Sequence, residues 1–122
     1  VRFLRDPTRG GLAAVLNEIV EERPFGVRLQ ESQVPFGQGA RALAEVMGYD
    51  LLHSASEGRL VVVCSAAVAD RALECLRAWP EGRGAVRVGV VTAEAGRVIL
   101  QTSMGGSRLV DMPQGEILPR IC

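Results

Sequence analysis

Residues 6–20 of the chain read DPTRGGLAAVLNEIV. Asp6 followed by Pro7 is typical of a helix start, because Asp is a favoured cap and Pro is favoured at the first helical position. The apolar residues that follow recur at helical spacing and form one face: Leu12, Val15, Leu16, Ile19 and Val20. Pro24 is expected to end this helix. The stretch predicts an amphipathic helix in a domain that, at 122 residues, is long enough for one modest core.

The residues that follow alternate between strand and helix patterns. Val27 and Leu29 alternate with polar neighbours, as in a half-buried strand, and residues 38–47 predict a second helix that Gly48 stops. Residues 60–64 form a continuous apolar run, which predicts a central strand covered on both faces. The remaining predicted elements are a third helix over residues 67–79, strands over 86–90, 98–102 and 108–112, and turns at 94–96 and 104–106. This order favours the α/β class, as a layered α/β sandwich with a mixed β-sheet.

The composition excludes several classes of partner. The formal net charge is zero, with 14 basic and 14 acidic residues, so neither nucleic acid nor a membrane is expected as a partner. The chain has no apolar run of about 18 residues and no signal peptide. Three cysteines without metal-ligand spacing indicate a reducing, cytoplasmic location rather than a disulfide framework. Because the sequence begins at Val1 in mid-pattern, we expect it to be part of a longer protein.

The last five residues, LPRIC, end the chain in the thiol of Cys122. A terminal thiol is a nucleophile at the end of a tether, and we predict a flexible tail over residues 114–122 after a domain over residues 1–113. Arg120 favours the thiolate, but the terminal carboxylate opposes it, so thiolate character has to come from a site that the tail enters. An incidental terminus and an intermolecular disulfide are the alternatives. Prenylation is excluded, because it requires a cysteine four residues from the end.

The segment before the first helix is a candidate anion site. Two glycines in the first turn of a helix cost roughly 1 kcal/mol each relative to Ala, so a compensating role is expected for Gly10 and Gly11. A helix N-terminus offers free N–H groups to an anion, and Thr8 and Arg9 would add a hydroxyl and a guanidinium. A tight helix–sheet contact, or a loop that ends before Gly10, explains the glycines equally well.

Other chemistry-bearing residues give weaker signals. Glu57, just before the apolar run, is either a carboxylate placed at the sheet edge or, more simply, a surface turn residue. His53 has no partner motif and receives no role. Cys64 and Cys75 are expected to be inert core thiols. Residues 102–108 are rich in glycine and predict a hairpin rather than a second anion site.

Taken together, these segments resemble the C-terminal domain of the HypE family of hydrogenase maturation proteins, within the aminoimidazole ribonucleotide synthetase superfamily. The residues that carry the resemblance are DPTRGGL at 6–12, Asn17-Glu18, EGRL at 57–60, Thr102 with Gly105-Gly106, Val110-Asp111 and LPRIC at 118–122. The first motif is shared across the superfamily, whereas the terminal Pro-Arg-Ile-Cys is specific to HypE.

The resemblance implies an ATP-dependent carbamoyl dehydratase. A HypF-like carbamoyltransferase would place a carbamoyl group on Cys122, and dehydration would convert the thiocarbamate into a thiocyanate. The cyano group would then pass to iron held by a HypC–HypD complex. Glu57 would act as general acid/base or orient the amide. The residues that would contact the ATP phosphates are Asp6, Thr8, Arg9, Gly10 and Gly11.

The resemblance also implies an N-terminal domain that these residues lack. That domain would hold Mg²⁺ and most of the ATP and would form most of a homodimer interface, so the chain is expected to fold alone without turnover and to contain no metal site. Two other classes of function stay open. One is another ATP-dependent superfamily member, such as a selenophosphate synthetase or thiamine monophosphate kinase, and the other is a non-catalytic interaction module.

Overall fold

The computed structural model describes residues 1–114 of the chain. Its strands and helices are β1 (Phe3–Arg5), α1 (Gly11–Val20), β2 (Gly26–Gln30), α2 (Gln38–Met47), β3 (Val61–Val63), α3 (Ala69–Arg77), β4 (Gly89–Thr92), β5 (Val98–Gln101) and β6 (Ser107–Leu109). Short 3-10 turns lie at Glu31–Gln33, Leu51–His53, Ala66–Val68 and Pro80–Gly82. Cys122 and nearly all of the predicted tail over residues 114–122 lie outside the described residues.

The main sheet is mixed and has the strand order β4-β2-β5-β6. Strand β2 runs parallel to β5 and antiparallel to β4, and β5 forms an antiparallel hairpin with β6. Strands β1 and β3 form a separate antiparallel pair. Helix α1 lies against β2 and β5. The predicted α/β class with a mixed sheet is therefore confirmed.

The hydrophobic core lies between α1 and the two central strands. Its buried members are Ala13, Leu16, Val20, Val27, Leu29, Val34, Leu52, Val98, Leu100 and Val110. Alternate residues of β2 and β5 contribute because side chains of a strand point to opposite faces with a period of two. The predicted apolar face of the first helix is confirmed, since Val15, Leu16 and Val20 are each no more than 3% exposed.

The predicted start of the first helix at Asp6-Pro7 is wrong. Helix α1 begins at Gly11, and Gly10 and Gly11 have φ angles of +67° and +64°. Glycine adopts this left-handed region readily because it has no Cβ. The two glycines therefore form a turn at the helix start rather than occupying regular helical positions. The helix also ends earlier than Pro24, at Val20.

The predicted central strand over residues 60–64 is also wrong. Strand β3 is short, half-buried and paired with β1 in a two-stranded sheet. The central strands of the main sheet are β2 and β5, whose alternate residues pack against α1. Cys64 is half-buried and Cys75 is exposed, so neither is the core thiol that the sequence predicted.

The predictions for helix α2 and for the hairpin between β5 and β6 are confirmed. Helix α2 has the predicted bounds, and Gly48 ends it with φ +64°. The third helix, α3, is shorter than predicted and follows a 3-10 turn. The hairpin at residues 102–108 is confirmed, because Thr102 N donates to Gly106 O at 2.8 Å between β5 and β6. Strand β1 was not predicted.

Glu31 joins the end of β2 to this hairpin and gives a pH-dependent prediction. The Ser103 N–H and hydroxyl donate to Glu31 Oε2 at 2.7 and 2.9 Å. These bonds, the backbone one foremost, lower the pKa of Glu31 below its ordinary value of 4.5. The pKa is lower in the folded state, so the ionised carboxylate stabilises the fold above pH 4.5, and this contribution is lost as the pH falls through the folded pKa.

We expect Glu31→Gln to lower the free energy of unfolding at neutral pH by about 1 kcal/mol, a typical value for a hydrogen bond at a partly solvated site. The difference from wild type should shrink below pH 4.5. Urea denaturation at neutral and acid pH measures it, with Glu81→Gln as the exposed control. A difference that stays constant with pH would contradict the prediction.

Candidate functional site

Three segments that are distant in sequence meet at the N-terminal end of α1. They are residues 6–11, here called the glycine turn, residues 54–58, called the glutamate loop, and residues 110–113 after β6, called the tail root. Ser56 N donates to Pro7 O at 3.0 Å, which joins the glutamate loop to the glycine turn. A Cβ on Gly10 would lie 3.0 Å from Pro113 Cγ, so the tail root lies directly on that turn. The structure thus brings together two of the clusters that the sequence singled out separately.

The two glycines of the turn are buried and closely packed. A Cβ on Gly11 would lie 2.4 Å from Ser54 O and 2.5 Å from Leu52 O, and one on Gly10 would lie 2.7 Å from Ala14 Cβ. The packing contact that the sequence left open is therefore present, against the Leu51–His53 turn rather than against the sheet. The alternative in which a loop ends before Gly10 is wrong. A phosphate contact for Gly10 and Gly11 stays a prediction.

The side of the glycine turn that faces solvent carries polar side chains. Asp6 and Arg9 are exposed and Thr8 is half-buried. The first N–H groups of any helix lack intrahelical acceptors, and the helix dipole is positive at this end. A ligand that approached from solvent would meet the Thr8 hydroxyl and the Arg9 guanidinium, whereas Gly10 and Gly11 are buried. The turn can thus present positive charge and donors to an anion.

Glu57 lies in the glutamate loop, four residues before the first residue of β3. It is exposed, and its chain neighbour Ser56 makes the bond to Pro7. The loop is therefore fixed next to the glycine turn. Its assignment as a general acid/base stays a prediction.

Sequence reasoning gave no role to two residues that fasten the tail root. Asn17 Nδ2 lies 2.9 Å from Val110 O, and His53 Nε2 lies 3.2 Å from Asp111 O. An asparagine inside a helix is a signal that could have been used, since Asn is a poor helix former and usually has a specific bond there. For His53 the sequence carried no such signal.

Within residues 1–114, no three His, Cys, Asp or Glu side chains are grouped so that they could hold a metal ion. In the same part of the chain, no helix is long and apolar enough to cross a membrane.

Comparison with known proteins identifies the class to which this fold and site belong. Residues 1–101 match the family described as AIR synthase related protein, C-terminal domain, and the chain belongs to that family. Within it, the chain is 46% identical over 123 residues to the carbamoyl dehydratase HypE of Azotobacter vinelandii. That match covers 100% of this chain and 36% of the relative, so the chain spans about a third of the relative's length.

Solved structures agree with the sequence comparison. A crystal structure of the hydrogenase maturation protein HypE in complex with ATP superposes with a TM-score of 0.86 at 40% identity, covering 98% of this chain and 37% of that one. A HypE–HypF complex gives a TM-score of 0.84 at 40% identity, covering 90% and 36%. The resemblance to the C-terminal domain of HypE is therefore confirmed.

Proposed function

We propose that this chain is part of an ATP-dependent carbamoyl dehydratase that acts in the maturation of nickel–iron hydrogenase. It contains Cys122, the cysteine to which the carbamoyl group is attached. The observation that supports the proposal most is the extent of the similarity. The match to the carbamoyl dehydratase HypE covers 100% of this chain and therefore reaches the terminal cysteine. Cys122 lies outside the described residues, so its role rests on sequence.

The proposed reaction proceeds in four steps. The Cys122 thiol loses its proton and attacks the carbamoyl carbon held by a HypF-like transferase, so that the S–C bond forms as the bond to the transferase breaks. The amide oxygen then takes the terminal phosphoryl group of ATP, with release of ADP and of the first N–H proton, which converts a poor leaving group into a good one. Loss of the second N–H proton to a base and of phosphate gives the C≡N bond of the thiocyanate. The S–C bond finally breaks to give the Cys122 thiolate as the cyano carbon binds an electron-rich iron on a HypC–HypD partner, which supplies the electron pair.

The geometry at the start of α1 supports specific roles. Arg9 and Thr8 are the proposed contacts to ATP phosphate, because they lie at the exposed side of the glycine turn, with Asp6 beside them. Glu57 is the proposed base or amide-orienting group, because its loop is bonded to that turn through Ser56. A guanidinium and a hydroxyl next to a carboxylate suit a reaction that removes phosphate from oxygen and a proton from nitrogen.

The rest of the machinery is proposed to lie in the part of the protein that precedes this chain. That part would supply Mg²⁺ ligands, most contacts to ATP and the interface of a homodimer. The relative solved with ATP and the relative solved with HypF support ATP and a HypF-like transferase as ligand and partner here. The cytoplasm is the proposed location.

Intact mass spectrometry tests the proposed function. The complete protein is incubated with its HypF-like partner, carbamoyl phosphate and ATP. We expect an adduct of one carbamoyl group on the C-terminal peptide, followed by loss of one water. Residues 1–122 alone should show neither ATPase nor dehydratase turnover. No adduct on Cys122, or turnover by residues 1–122 alone, would contradict the proposal.

A further inference from the structure

The tail root is tied to other elements besides the strand that precedes it. All three residues of β6 are exposed, whereas Val110, the next residue, is 2% exposed and belongs to the hydrophobic core. Val110 N donates to Val98 O at 2.8 Å and so extends the pairing with β5, and Arg108 of β6 pairs with Asp50 at 2.5 Å. Residues near a terminus are usually poorly ordered unless something ties them down. Three further contacts from outside the sheet tie down the residues that follow β6.

The first such contact comes from Asn17 in the middle of α1. Its Nδ2 lies 2.9 Å from Ala13 O and 2.9 Å from Val110 O. Both partners are carbonyl oxygens, so the atom between them has to be the NH₂ group, which donates one hydrogen to each. One of these two hydrogen bonds stays within helix α1, and the other reaches the tail root. Asn17 therefore connects the two.

The second contact comes from His53 in the Leu51–His53 turn. Its Nε2 lies 3.2 Å from Asp111 O, and since a carbonyl can only accept, the hydrogen is on Nε2. His53 Nδ1 lies 3.6 Å from Asp50 Oδ2, which is longer than a hydrogen bond, and Asp50 Oδ1 accepts from Leu52 N at 3.0 Å. Asp50 thus caps the turn that carries His53.

The third contact is steric. The Pro113 ring lies where a Cβ of Gly10 would be 3.0 Å from its Cγ and 3.8 Å from its Cβ. Only a residue without a side chain at position 10 lets the ring approach this closely. Two successive carbonyls and a proline ring are therefore fixed by three different elements, and the last contact is with the glycine turn.

We propose that Asn17 and His53 are positioning residues that hold the tail root against the glycine turn. The segment that carries Cys122 then starts beside Thr8 and Arg9, the proposed phosphate contacts. This inference rests on the proposed role of Cys122 as carrier. Asn17 and His53 contact the backbone of the tail root and act through the place where the tail begins.

The length of chain between the tail root and Cys122 determines how much the loss of these contacts would lower the effective concentration of the thiol at the glycine turn. Nine residues separate Pro113 from Cys122, which is at most about 30 Å of chain. If the root detached as far back as Leu109, thirteen residues would separate the anchor from the thiol, or about 45 Å. The effective concentration of the sulfur at the glycine turn would fall about twofold, because it scales roughly as the −3/2 power of the tether length.

The kinetic test uses the complete protein with Asn17→Asp and His53→Phe combined. Asn17→Asp keeps the shape and removes the donor, and His53→Phe removes the ring N–H. We expect single-turnover dehydration of the carbamoylated protein to slow about twofold, with an unchanged KM for ATP and unchanged carbamoylation by the HypF-like partner. His53→Gln retains a donor and should restore the His53 contribution. An unchanged rate of dehydration, or a KM for ATP that rises by the same factor as the rate falls, would overturn the proposal.

A second test is independent of the carrier chemistry. With every other cysteine replaced by serine, the rate of disulfide formation between Cys122 and a cysteine introduced by Thr8→Cys is compared with the rate for Met104→Cys. Met104 is 95% exposed at the opposite end of the β5–β6 hairpin. We expect the Thr8/Met104 rate ratio to fall about twofold in the Asn17→Asp, His53→Phe protein, and an unchanged ratio would overturn the proposal.

The two tests separate failure of this inference from failure of the proposed function. If Cys122 never carries a carbamoyl group but the disulfide ratio still falls, the proposed function is wrong and the anchoring of the root is correct. If the carbamoyl adduct forms and neither the ratio nor the dehydration rate changes, the proposed function stands and the positioning role is wrong.

Discussion

Cys122→Ser in the complete protein is expected to lower thiocyanate formation by at least about a thousandfold. A serine hydroxyl is almost fully protonated at neutral pH, whereas a thiol gives a few per cent of the far more nucleophilic thiolate. An oxygen-linked carbamoyl group would also leave the cyano group on oxygen rather than sulfur. Intact mass spectrometry and a colorimetric assay for released thiocyanate or cyanide measure the loss.

The chain offers matched controls for this substitution. Cys64 is half-buried and Cys75 is exposed, and neither lies in the three segments that form the candidate site. Cys64→Ser and Cys75→Ser should therefore keep turnover within about twofold of wild type. Binding of the HypF-like partner should persist in Cys122→Ser, as measured by calorimetry.

The same variant decides among the alternatives. A non-catalytic interaction module would keep both binding and function in Cys122→Ser. A selenophosphate synthetase or thiamine monophosphate kinase would keep its activity after deletion of Cys122. Either result would contradict the carrier role.

The sequence predicted those elements whose signals are local. Helix α2 has the predicted bounds because its amphipathic pattern runs up to Gly48, and a left-handed glycine is a common helix end. Strand β2 was found because Val27 and Leu29 alternate with polar residues. The first helix was placed too early because Asp6-Pro7 resembles a cap, and nothing in the local sequence shows that Gly10 and Gly11 need positive φ angles.

The errors arose where burial depends on distant partners. An apolar run such as residues 60–64 reports hydrophobicity, but only the pairing of β3 with β1 shows that it lies in a small side sheet. The candidate site was found as separate motifs, and its assembly could not be predicted. The bond from Ser56 to Pro7 spans 49 positions (56 − 7), and the bond from Asn17 to Val110 spans 93. No pattern within a single sequence encodes such pairs.

Gly11→Ala is expected to lower the free energy of unfolding by about 2–5 kcal/mol. A Cβ at this position requires an alanine at φ +64°, which costs roughly 1–2 kcal/mol. It would also lie 2.4 Å from Ser54 O and 2.5 Å from Leu52 O. These are backbone atoms, which cannot rotate away as a side chain can, and overpacking of this kind adds about 1–3 kcal/mol.

Gly48→Ala is the matched control, because it isolates the steric part of the effect. Gly48 has the same φ of +64°, and a Cβ there would meet nothing within 4 Å. Its substitution should therefore cost only the backbone strain, about 1–2 kcal/mol. Urea denaturation of both variants gives the difference, and values within about 0.5 kcal/mol of each other would show that the contact between the glycine turn and residues 52–54 is not tight. Those residues lead directly into the glutamate loop. A Gly11→Ala protein that still folds should therefore also lose more dehydration activity than Gly48→Ala does. Such a loss would connect the packing of this turn to the proposed chemistry.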